Sequence, residues 1–242
     1  MCSSARLAAP DAHFVRAAVH GVSAKLHHQA MNEFLEPSEQ IDSDHPEVVK
    51  QALALSDALK DPAEVARACF EFVRDGIRHS WDFQLNPVTC KASDVLKHGT
   101  GYCYAKSHLL AALLRANGIP AGLCYQRLTI ANDVPPFCLH GLNAVFLEPY
   151  GWYRIDARGN KPGVSAEFCP PLEKLAFPIL SEGEADFLEV WAEPLPVVVK
   201  VLEMYGDYLQ VSQNLPDIPI VRANKSNNYA PAAPDAASRA GF

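Results

Sequence analysis

Gly99-Thr-Gly-Tyr-Cys103-Tyr-Ala-Lys-Ser-His-Leu-Leu-Ala-Ala-Leu-Leu-Arg-Ala-Asn-Gly118-Ile-Pro120 is the stretch whose reading decides the fold. Gly99 and Gly101 mark a turn. Leu109, Leu110, Leu113 and Leu114 then recur at helical spacing and form a buried stripe. Gly118 followed by Pro120 is a stop, because glycine takes the left-handed position past a helix end and proline cannot continue it. Cys103 therefore stands in the first turn of a buried helix. Free backbone N–H groups and the positive end of the helix dipole gather there, and both favour a thiolate. The same N–H groups can stabilise an oxyanion formed beside the sulfur. The alternative for Cys103 is a small buried apolar residue at a helix start.

Upstream the chain reads as helical. Residues 12–32 are compatible with a helix around Phe14, Val15, Ala18, Val19 and Leu26. Residues 34–45 read as extended. Pro46 opens a helix with Asp44 or His45 near its cap. Asp61-Pro62 opens another, with Asp61 as cap and Ala63, Ala66, Phe70, Val73 and Ile77 as its inner face. A short helix at 93–96 precedes the glycine turn.

Downstream the pattern changes to strands at 121–130, 138–147 and 152–157, with a loop at 131–137 around Pro135-Pro136. Glu148-Pro-Tyr-Gly151 joins the last two strands as a hairpin. Residues 158–186 read as irregular, 188–191 as an edge strand, and 196–215 as one helix. Helices first and strands after them imply an α+β domain. The domain is expected over residues 1–223, with a disordered Asn/Ser/Ala/Pro tail at 224–242.

A cysteine nucleophile needs a base beside the sulfur, and the base needs an orienting partner. His140, on the second strand, is the candidate base. Asp156, at the end of the third, is the candidate orienter. Taken singly, His140 reads as an ordinary strand histidine and Asp156 as a turn-capping carboxylate. Hairpin register decides whether they meet. If residue 148 pairs with 151, His140 lies opposite Gly159 and Asp156 points to the other face. A turn centred on Pro149 puts His140 opposite Arg158 and makes Asp156 its diagonal neighbour on the same face, roughly 7–8 Å away at Cα. The triad requires the second register, so an odd-length turn or a bulge is expected.

The whole chain bounds the function class. Its 242 residues are 49% hydrophobic, which is enough for a core without disulfide or metal support. A net charge of −7 speaks against nucleic-acid and anionic-membrane partners. The seven cysteines are odd in number, irregularly spaced and free of Cys-x-x-Cys, a pattern of reduced, cytoplasmic usage. The amino-terminal residues hold no long apolar run, so neither a signal peptide nor a transmembrane span is expected. Cys138-x-His140 with Cys124 or Cys90 lacks zinc-site spacing, so no metal is expected. Nor is there a phosphate loop or a dinucleotide fingerprint, and no cofactor is expected. The acidic residues Glu182, Glu184, Asp186 and Glu189 read as a solvated face.

Gly101-Tyr-Cys103, the Leu-Leu-Ala-Ala-Leu-Leu-Arg-Ala-Asn-Gly-Ile-Pro-Ala run, His140 and Gly151-Trp-Tyr-Arg-Ile-Asp156 together resemble the transglutaminase-like superfamily of papain-like cysteine enzymes. More narrowly they resemble its bacterial cysteine-protease-like members, and the likeness spans roughly residues 30–160. The resemblance implies a papain-like core in which the nucleophile helix packs on an antiparallel sheet. It makes Cys103 the nucleophile, His140 the base and Asp156 the third member. The sequence departs from the family pattern at His140-Gly-Leu142, where an aromatic residue is common two positions after the histidine. It departs again at Tyr104, where small or polar residues are common. Trp81, Tyr102, Tyr104 and Leu142 are expected to line the substrate cleft, and Trp81 or a neighbour to supply a second oxyanion donor. The implied reaction is hydrolysis of an amide bond in a peptide or protein through a thioester. Acyl transfer to an amine and non-catalytic peptide binding are the alternatives, and a redox role for the thiols is a third.

Overall fold

The computed structural model describes residues 31–131, 134–148 and 150–219. The tail expected from 224 lies outside the described residues, as does 12–30 of the expected first helix. Helices α1 (Pro46–Ser56) and α2 (Pro62–Glu71) begin with proline in the first turn. Each is capped by the preceding side chain: His45 accepts from the Glu47 amide at 3.3 Å, and Asp61 from the Ala63 amide at 2.9 Å. A π-helical turn at Phe72–Gly76 extends α2. Ala66, Phe70, Val73 and Ile77 are buried along this inner face.

Strand β1 (Arg78–His79) is followed by the single-turn helix α3 (Ser80–Phe83) and by α4 (Ala92–His98). Strand β2 (Thr100–Gly101) then returns to pair with β1 in parallel, His79 opposite Gly101. Helix α5 (Cys103–Ala116) starts two residues later, and every residue from Cys103 to Arg115 is buried. A helix buried on all sides is the middle of a core, with other elements around it. It ends as its sequence requires: Gly118 has φ +72°, and the Gly118 and Ile119 amides turn back to the carbonyls of Arg115 and Leu114.

The sheet has the order β5 (Gly151–Ile155), β4 (Val134–Leu147), β3 (Ala121–Ala131), β8 (Ala185–Asp186), with antiparallel neighbours. Helix α5 packs against β3 and β4. Leu123, Tyr125, Leu139, Val145, Leu147, Tyr153 and Ile155 join the main core with α5. The opposite face carries a smaller cluster of Cys124, Leu142 and Ala144, covered by Trp152, Leu175 and Val190. This is the α+β arrangement expected from the sequence: a buried helix on an antiparallel sheet.

Several local expectations need correction. The Pro135-Pro136 segment belongs to β4, which pairs back to β3 as far as Val134 opposite Ala131. The register shifts between Thr129 and Ala131, and such an irregular strand end tolerates prolines that cannot donate to a ladder. Residues 158–186 are partly regular, with the hairpin β6 (Glu167–Cys169) and β7 (Leu172–Lys174), and β8 as the sheet edge. At 188–191 a single bridge joins Trp191 to Leu123, while Leu188 stands in solvent. The last helix is two, α6 (Pro196–Met204) and α7 (Tyr208–Gln213). The chain is extended at Tyr205, Gly206 follows, and Asp207 caps the second piece through the Leu209 amide at 2.8 Å. The acidic run is not merely a solvated face. Glu184 accepts from the amides of Thr129, Leu180 and Ser181, and Asp186 accepts from Arg154 and Gln126.

Lys106 is buried on α5 and donates to the carbonyls of Arg74 and Ile77, tying the π-helical turn to the helix. Burial, and then the Arg158 charge, push its pKa from 10.5 down to about 7. Between those values the unfolded chain binds the extra proton, so stability rises with pH there, by up to about 1.4 kcal/mol per pH unit. Lys106→Met is expected to lack this increment. Urea denaturation of both proteins at pH 7 and pH 9 should show the wild type gaining more stability than the variant. Equal gains would remove Lys106 as the source.

Candidate active site

Three chain segments meet at the amino end of α5. The β1–β2 pair fixes the approach to Cys103, whose helix begins directly after Tyr102. The first bond of the helix at this end runs from the Lys106 amide to the Tyr102 carbonyl. The amides of Cys103, Tyr104 and Ala105 precede it, so they are the free donors of the first turn. Strand β4 then crosses this turn at very short range. A Cβ on Gly141 would lie 3.1 Å from the Tyr104 Cα and 3.3 Å from its amide nitrogen. The Tyr104 hydroxyl donates to the Leu139 carbonyl on the same strand, which holds the two elements in contact.

His140 sits between these two anchor points. Leu147 pairs with Gly151 and Asn143 with Ile155, which is the odd-turn register. Asp156 therefore follows β5 on the His140 side. His140 Nε2 lies 2.8 Å from Asp156 Oδ2. The other ring nitrogen is thereby left for Cys103, whose sulfur interacts with the imidazole and helps to raise its pKa. The three residues are all buried, Asp156 completely and Cys103 at 8% exposure.

Their electrostatics are mutually dependent. Burial opposes the charged imidazole of His140, but interaction with Asp156 and Cys103 outweighs it and lifts the pKa to about 10. Burial would likewise raise Asp156. The His140 charge and hydrogen bond, with the amides of Ala176 (3.0 Å) and Arg158 (3.1 Å), hold it below the ordinary carboxylate range instead. The Phe177 ring stands edge-on to His140 at 5.0 Å and shields the pair.

Cys103 and His140 open on a cavity of ≈ 720 Å³. Its walls are mainly apolar and aromatic, from Trp81, Tyr102, Leu128, Leu139, Phe177 and Leu215. Arg158 and Lys161 also line it. Asp82 joins these two cations, with Arg158 Nη1 at 2.6 Å and Lys161 Nζ at 2.6 Å. Burial works against the Asp82 charge, but hydrogen bonds from Arg158 and Lys161 bring its pKa down to about 2. Among the described residues no group of three or more His, Cys, Asp or Glu side chains gathers as metal ligands. Nor is any helix of the described residues long and apolar enough to cross a membrane.

Of the residues expected to line the cleft, Trp81, Tyr102 and Tyr104 do so. Leu142 does not. It is packed with Cys124 and Ala144 under Leu175 and Val190. Two residues along a strand is roughly 6.6 Å, far enough to carry Leu142 past the cavity although it shares the His140 face. Trp81 is 46% exposed and leans towards Tyr208 as a rim residue. Sequence reasoning missed Phe177, His79, Arg158 and Lys161 as cavity residues, and Asp82 as the carboxylate that joins the last two. Phe177 lies in an irregular segment. His79 reaches the site through a two-residue parallel pairing across 22 positions, which leaves no periodic trace.

Residues 50–157 match the family model described as the transglutaminase-like superfamily. No curated protein matches the chain. Among solved structures it is similar to a proposed cysteine protease from Cytophaga hutchinsonii, at 24% identity and a TM-score of 0.44, over 53% of this chain and 42% of that one. It is also similar to the periplasmic domain of TgpA from Pseudomonas aeruginosa, at 18% identity and a TM-score of 0.38, over 51% and 45% of the two chains. Red sea bream transglutaminase matches at 13% identity and a TM-score of 0.35, over 46% and 26%. The chain thus spans less than half of the length of each of these structures.

Gly141→Ala tests the contact that seats the His140 strand on the Cys103 helix. The added methyl meets the Tyr104 ring at 3.0 Å and its backbone at 3.1–3.3 Å, so the two elements must move apart slightly and a loss of about 1–3 kcal/mol is expected in urea denaturation. A variant as stable as the wild type would show that the two elements separate freely.

Proposed function

We propose that this protein is a thiol-dependent hydrolase of amide bonds, acting on a peptide or protein through Cys103, His140 and Asp156. The observation that carries the reading is the Asp156–His140 hydrogen bond beside Cys103, with His140 and Cys103 on the wall of one cavity and Cys103 at a helix start. In the proposed cycle the Cys103 sulfur attacks the acyl carbon and a C–S bond forms. Electrons move onto the carbonyl oxygen, where first-turn amides of α5 can receive them. On collapse the C–N bond breaks, and His140 gives its proton to the departing amine. Asp156 keeps the imidazole oriented and charged until then. Water, deprotonated by the now neutral His140, cleaves the thioester. The largely apolar, aromatic wall fits a substrate with apolar side chains near the cleaved bond. The odd cysteine count and irregular spacing favour a cytoplasmic setting.

Two measurements test this. Brief iodoacetamide treatment at pH 7, followed by peptide mapping, should label Cys103 ahead of the other six cysteines. Burial pushes Cys69, Cys90, Cys124 and Cys138 up to about 12, so these four should label slowest. Uniform slow labelling would count against an activated sulfur. In a peptide library assay, Cys103→Ala should abolish cleavage. Asp156→Asn should lower kcat by on the order of 10²–10⁴. Adding an amine acceptor separates hydrolysis from acyl transfer by the mass of the product, and cleavage that survives Cys103→Ala would overturn the assignment.

A further inference from the structure

His79 stands in the cavity wall without a role in the Cys103–His140–Asp156 chain. The β1–β2 pairing places it opposite Gly101, two residues before Cys103, and its ring meets Tyr102 edge-on at 5.5 Å. It is buried, and its Nδ1 is sealed from solvent with no hydrogen-bond partner. Asp82 Oδ2 is 3.7 Å away, beyond hydrogen-bonding range, and that carboxylate already accepts from Arg158 and Lys161. A buried orphan N–H costs more than a buried orphan lone pair, and is the rarer of the two. The favourable tautomer therefore carries its proton on Nε2, the ring nitrogen that is not sealed, in a residue that lines the cavity. Burial, reinforced by the Arg158 charge, keeps the ring neutral, so it holds this one proton and does not add a second.

We infer that His79 is a further catalytic residue, whose Nε2–H donates to the acyl oxygen as the Cys103 sulfur adds to the carbonyl carbon. The inference rests on the proposed acyl chemistry and names its second oxyanion donor beside the α5 amides. As the S–C bond forms, the carbonyl π pair moves to oxygen and the His79 bond shortens onto it. When the pair returns, the leaving group departs and His79 still holds its proton. A donor of this kind stabilises the transition state more than the ground state.

p-Nitrophenyl acetate is the probe, because its leaving group departs as the anion and needs no proton from His140. Acylation is read as the nitrophenolate burst, and alkylation by iodoacetamide is followed in parallel. Alkylation displaces iodide at a saturated carbon and forms no oxyanion, so it reports only whether the sulfur and its surroundings are intact. His79→Ala is expected to slow the burst by about 10²–10³-fold while alkylation of Cys103 stays within about twofold. His79→Gln, which presents an N–H at a similar reach, should recover part of the burst rate. Equal bursts in wild type and His79→Ala overturn the inference and leave the hydrolase reading standing. Parallel losses of burst and alkylation in both variants make His79 a structural residue and also overturn it. A wild-type burst no larger than that of Cys103→Ala overturns the hydrolase reading and the inference together.

Discussion

A methyl group on Gly141 would crowd the Tyr104 backbone at 3.1–3.3 Å. That close approach of a strand to the first turn of a helix is the constraint on which the site depends. It brings the strand residue before Gly141 beside the helix residue before Tyr104, and those two are His140 and Cys103. A wider spacing would leave the imidazole short of the sulfur. The Tyr104 hydroxyl, bonded to the Leu139 carbonyl, holds the same two backbones together from the side. Tyr104 is therefore part of the join.

The site also concentrates charge where water is scarce. His140, Asp156 and Arg158 are all buried, and each is stabilised by a partner that is itself fixed. Asp156 takes two backbone amides as well as the imidazole, and Arg158 takes Asp82 in a two-pronged bond. Removing one member of such a set leaves a buried charge uncompensated, which costs far more than an exposed pair is worth. The electrostatic arrangement thus follows from the packing and also reinforces it. His79 differs from these groups because one of its nitrogens has no protein partner.

Much of the architecture could be read along the chain because it rests on local rules. The caps of α1 and α2, the stop of α5 and the hairpin were legible from single residues at fixed offsets. The long-range features were less so. The prolines of 135–136 suggested a loop, yet the strand absorbs them where its ladder is irregular. The alternation that puts Leu142 on the His140 face is correct, but it does not say how far along the strand the cavity extends. Glu184 looked like surface charge because its partners are backbone amides of distant segments, and such partners leave no pattern in a sequence.

What the sequence by itself determined was the order of helices and strands, the helix start that carries Cys103, and the requirement that His140 and Asp156 share a face. Periodicity, capping and register are local, and they act between neighbours in the chain. Only the tertiary structure decided which surfaces close around the sulfur: the parallel His79–Gly101 pairing, Phe177 against the imidazole, and the Arg158–Asp82–Lys161 group. Those contacts join residues far apart in the chain. They are selected by the packing of the whole core, where the free energy depends on what surrounds a side chain and not on what precedes it.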